Sequence, residues 1–124
     1  MRCKVITNKP ISDYVFISTI YHEILHNYID SFLPKNTPLL IKYKNEPPGV
    51  LNHLHLLALE KTIYLQLGWK SKLNEIIKKD ESLPNEDYKR AWEIINKNES
   101  SEKFVSELIS FNNNDALLSN LSYG

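Results

Sequence analysis

The chain has 124 residues, 42% of them apolar, with one cysteine and fifteen basic residues balanced by fifteen acidic ones. That length fits one small domain with a single core, or a piece of one, and the cancelled charge leaves no electrostatic footprint for nucleic acid or an anionic membrane. Cys3 alone forms no internal disulfide and fits a reducing, cytoplasmic setting. No apolar run approaches the roughly 18 residues a bilayer needs, and Asn8-Lys9-Pro10 interrupts any signal-peptide core.

In chain order, residues 2–7 have strand character from Val5, Ile6 and Thr7. Pro10 ends that segment, and Ser12-Asp13 supply an N-cap and an acidic first turn. The spacing then predicts a helix over 12–33, with Tyr14, Ile17, Tyr21, Ile24, Leu25, Tyr28 and Phe32 as its core face. Val15, Thr19, His22, His26, Ile29 and Leu33 form the adjacent stripe, and Pro34 stops the helix. Residues 34–48 hold four prolines and read as a connection, with a short extended strand expected at 39–43. Pro47-Pro48 open, and Gly68 caps, a helix that is apolar nearly all round, as a helix buried mid-bundle should be. Three shorter pieces follow. Leu73, Ile76 and Ile77 mark a helix over 71–79. Asn85 caps one with Tyr88, Ala91, Trp92 and Ile95 inward, and Ser100-Ser101 open another with Phe104, Val105, Leu108 and Ile109 inward. The expectation is a mainly α, single domain over 1–124: metal-site helices in 12–68, packing helices in 69–111 and a tail over 112–124.

All four histidines, His22, His26, His53 and His55, fall in the two long helical segments. His22-Glu23-Ile24-Leu25-His26 is an H-E-x-x-H. Residues four apart share a helix face, about 6 Å apart along the axis, so both imidazoles can reach one metal ion. Glu23 is then placed to hold and deprotonate a water on that ion. In the second segment His53, His55 and Glu60 are the polar exceptions. A buried carboxylate there is costly unless paired or bound to metal.

His22-Glu23-Ile24-Leu25-His26 resembles the active-site helix of the zincin metallopeptidases, and a downstream helix bearing Glu60 is similar to their gluzincin branch. Over residues 12–68 the resemblance implies one zinc on His22, His26 and Glu60, Glu23 as general base, and a peptide or protein substrate. His53 is the alternative third ligand or a donor to a developing oxyanion. It lies seven residues before Glu60 on nearly the same face, but about 10 Å away along the axis, so one zinc takes only one of the two. His55 is expected to look elsewhere. The family also places a sheet upstream of this helix, for which the chain offers only 2–7, and carries an acidic or small polar residue where Tyr64 stands. The rival expectation is a non-catalytic helical interaction module whose metal site is structural or accidental.

Overall fold

In the computed structural model, residues 13–123 are described, with side chains from 19 to 112, and they form six helices with no strand among them. These are α1 (Asp13–Asp30), α2 (Pro38–Lys42), α3 (Pro48–Gln66), α4 (Lys70–Glu81), α5 (Asp87–Ile95) and α6 (Ser100–Tyr123). The protein is mainly helical. The strand expected at 2–7 lies outside the described residues.

The central helix is α3, packed chiefly by α5 and α6, with α4 and α1 alongside. Leu54, His55, Leu56, Leu57 and Ala58 are buried in succession, so burial winds right round the cylinder there, which is why its sequence is apolar on nearly every side. Pro48 stands at the first helical position, where its missing N–H costs nothing. At the other end Gly68 takes φ +76°, the Trp69 N–H reaches the Tyr64 carbonyl at 2.9 Å and the Gly68 N–H the Leu65 carbonyl at 3.1 Å. This is a Schellman cap, closed by the edge-on contact of the Tyr64 and Trp69 rings. A Cβ on Gly68 would meet nothing within 4 Å, so the backbone sign alone demands glycine there.

Trp92, Ile94, Ile95 and Ala91 of α5 and Phe104 of α6 fill the main core against α3. A smaller cluster joins Leu25 and Ile29 of α1 to Leu56 of α3 and Leu108 of α6. Arg90 clamps α5 to the α2–α3 connection through paired hydrogen bonds to Glu46, at 3.0 and 2.6 Å.

Three expectations change. The segment 39–43 is not extended: residues 39–42 fold within α2 and Tyr43 is its C-cap. Thr37 caps that helix, its hydroxyl accepting from the Leu40 N–H at 3.2 Å, Pro38 sits at the first position, and the Leu39 N–H is taken by Glu107 at 3.1 Å. The inward face of α1 is centred on Leu25 and Ile29, with Tyr21, His22 and His26 beside them, while Ile24 and Tyr28 are 56% and 46% exposed. Periodicity limits a helix face to within about one residue's 100° step, and the partner helix decides the rest. Finally, α6 continues as one helix to Tyr123 rather than ending near 111, and its Ile109 is exposed.

Candidate metal centre

The site lies on the seam between α1 and α3. His22 and His26, one turn apart on α1, meet edge to face with ring centroids 5.0 Å apart. His53, near the start of α3, brings its ring to 5.0 Å from His26 and 5.9 Å from His22. One ligand nitrogen from each of the three lies within 4.8 Å of the other two. Nε2 of His26 and Nε2 of His53 are 3.3 Å apart. That matches the nitrogen–nitrogen edge of about 3.3 Å in a tetrahedral site with zinc–nitrogen bonds of about 2.0–2.1 Å.

The hydrogen bonds behind the rings fix which nitrogens hold lone pairs. Nδ1 of His53 is 2.7 Å from the Gly49 carbonyl, which can only accept, so Nδ1 carries the proton. His53 therefore turns an Nε2 lone pair toward Nε2 of His26, and both nitrogens can face one ion when His26 carries its proton on Nδ1. Nδ1 of His22 donates to Glu60 at 2.5 Å, leaving Nε2 of His22 to accept from the Tyr88 hydroxyl at 3.2 Å. A carboxylate or carbonyl behind the ring is the usual support of a metal-binding histidine.

Of the two α3 residues considered as third ligand, His53 thus joins the group, and Glu60 stands on the far nitrogen of His22. Glu60 is buried, at 4% exposure, and the imidazole N–H is the partner its burial requires. Burial opposes protonation of His22, but the Glu60 hydrogen bond and charge outweigh it and raise its pKa above the ordinary histidine value. His26 moves the other way, lowered by burial and then by the neighbouring His53 and His22. A neutral ring is the form that binds metal.

Glu23, exposed on α1, lines a cavity of about 180 Å³ together with His22, Glu60, Asp80 and Tyr88. Asp80 and Tyr88 were not legible as site residues. Asp80 comes from the last turn of α4, where a carboxylate opposes the helix dipole, and that mismatch was its only signal. Burial raises its pKa, against the Trp92 indole that donates to it. Tyr88, half-buried on α5, reads in sequence as an inner-face residue; its polar tip was the hint. Burial, then the Asp80, Glu60 and Glu23 carboxylates, push its pKa up to about 12. His55 lies away from the group, with its Nε2–H donated to Glu107 at 2.8 Å.

Three imidazoles converging on one point can, in their neutral forms, hold a divalent transition ion. No sheet occurs among the described residues beside it, and no helix of them is long and apolar enough to cross a membrane. Compared with protein-family models, with curated proteins and with solved structures, the chain matches none.

Proposed function

We propose that the protein is a zinc-dependent hydrolase, zincin-like in its motif and acting on peptide bonds in a reducing cytoplasm. His22, His26 and His53 hold the ion, and Glu60 orients His22. The convergence of three imidazole nitrogens with Glu23 next to the first of them carries this reading. Bound zinc supplies Lewis acidity, which brings the pKa of a coordinated water to about 7. Glu23, beside His22 on the cavity wall, would be the general base for such a water and the acid for the leaving amine. Glu60 keeps Nδ1 of His22 protonated and its Nε2 lone pair turned inward, and the Gly49 carbonyl does the same for His53.

The purified chain is expected to retain about one zinc through dialysis. Glu23→Gln should keep that zinc and lose hydrolysis of a peptide library, whereas His22→Ala or His26→Ala should lose the metal. Full activity in Glu23→Gln would overturn the mechanism even with zinc present.

One observation favours a second reading, a closed structural site in a non-catalytic helical module. The Tyr88 hydroxyl stands 3.2 Å from Nε2 of His22, close enough to take the fourth position itself. A cobalt-substituted protein separates the two. A visible spectrum that titrates with pH through an exchangeable water supports the hydrolase, and one indifferent to pH supports the closed site.

A further inference from the structure

Asp80 is the carboxylate that the proposed reaction leaves unused. Among the described residues its one hydrogen-bond donor is Nε1–H of Trp92, 3.1 Å from Oδ2. A carboxylate offers about four acceptor sites, and Asp80, half-buried on the cavity wall, has the remainder free for a donor that enters the cavity. Nor does α4 reward a negative charge in its last turn. What Asp80 faces is the cavity of about 180 Å³, whose other walls include Ile76, Leu83 and the Tyr88 ring, and which opens beside His22 and Glu23. That volume is well below the roughly 300–1,000 Å³ of a site for a whole drug-sized ligand, and suits a single long side chain.

Apolar walls with one under-donated carboxylate form a recognisable chemical pattern. We propose that this cavity is a subsite for a lysine or arginine side chain of the substrate, with its methylenes against Ile76 and Leu83 and its cationic head on Asp80. The word substrate rests on the hydrolase reading; the binding does not. Of the other carboxylates lining the cavity, Glu60 is engaged by His22, and Glu23 is the exposed one to which the proposed reaction assigns the base. Lys79, exposed at the rim, is the cation that competes with the incoming head group. Asp80 is accordingly a specificity-determining residue.

The test is a titration followed by NMR of the full chain, with the Trp92 indole N–H as reporter of its Asp80 partner. n-Butylguanidinium is the probe and neutral n-butylurea its isosteric control. The cation should shift the Trp92 signal saturably, and the urea should not. Asp80→Asn, which keeps an acceptor for Trp92, should weaken binding at least tenfold, and Lys79→Ala should tighten it. Leu83→Trp, at a position 38% exposed on the rim, should block binding without touching Asp80. Equal binding of the urea, no saturable shift in the parent protein, or undiminished affinity in Asp80→Asn or Leu83→Trp would each overturn the proposal. The titration involves no turnover, so a chain that binds the cation but hydrolyses nothing refutes the hydrolase and keeps the subsite. A chain that hydrolyses peptides but ignores the cation does the reverse.

Discussion

His53 and Glu60 share a face of α3, yet one meets Nε2 of His26 and the other meets Nδ1 of His22. The pairing His22–His26 was legible in the sequence because it depends only on the local helical repeat. The choice between His53 and Glu60 was not. It depends on how far α3 slides along α1, and a slide of about two turns, roughly 10 Å, exchanges one for the other. Tyr88 and Asp80 were further from reach, since α5 and α4 bring them in by tertiary packing alone. Metal affinity of two variants follows from this arrangement. Glu60→Ala removes the support behind a ligand and should cost about 10–100-fold in zinc affinity. His53→Ala removes a donor nitrogen and should cost more, as competition titration with a chelating dye would read. A larger loss in Glu60→Ala would return the carboxylate to the ion.

At the scale of the element, α1 carries two of the three histidines and Glu23, and among its described side chains the buried apolar ones are Leu25 and Ile29, with Tyr21 packed beside them. Imidazole and carboxylate make up much of the remaining described seam with α3. An ion bridging His22 and His26 to His53 would therefore staple α1 to the central helix. Amide exchange over residues 20–30 should slow about tenfold or more on adding zinc, with the core of α3 barely changed. Equal protection with and without zinc would show that α1 is already held by its leucine and isoleucine. The same elements show what patterning could convey. The all-round apolar character of α3 announced its burial and its glycine cap. A five-residue helix such as α2 is too short to show a period, so only its Thr37-Pro38 cap signal distinguished it from the strand that Leu39, Leu40 and Ile41 implied.

Across the whole molecule, the buried polar groups among the described residues are few and each is answered, and one of them sets an acid limit. His55, only 3% exposed, is held below its ordinary pKa by burial, against the opposing pull of the Glu107 hydrogen bond and charge. It is neutral in the fold. Above pH about 6.5 the unfolded chain does not protonate it either, so its contribution to stability is complete there. As pH falls below that value the unfolded state gains a proton that the fold refuses, and stability declines until the lower folded pKa is passed. Urea midpoints should fall from pH 7 to pH 5.5 more steeply in the parent chain than in His55→Gln; parallel slopes would acquit His55. Its partner Glu107 has a wider reach, because its second oxygen accepts the Leu39 N–H at 3.1 Å, tying α6 to both α3 and α2. Those links span 52 and 68 residues of chain, separations whose loop closure must come before any reward. We predict that the clamp closes late, after the transition state for folding. Glu107→Ala should leave the refolding rate almost unchanged and place nearly all of its destabilisation in faster unfolding, a φ-value near zero in a chevron analysis. How long a molecule stays folded, rather than how quickly it arrives, is what this one carboxylate governs.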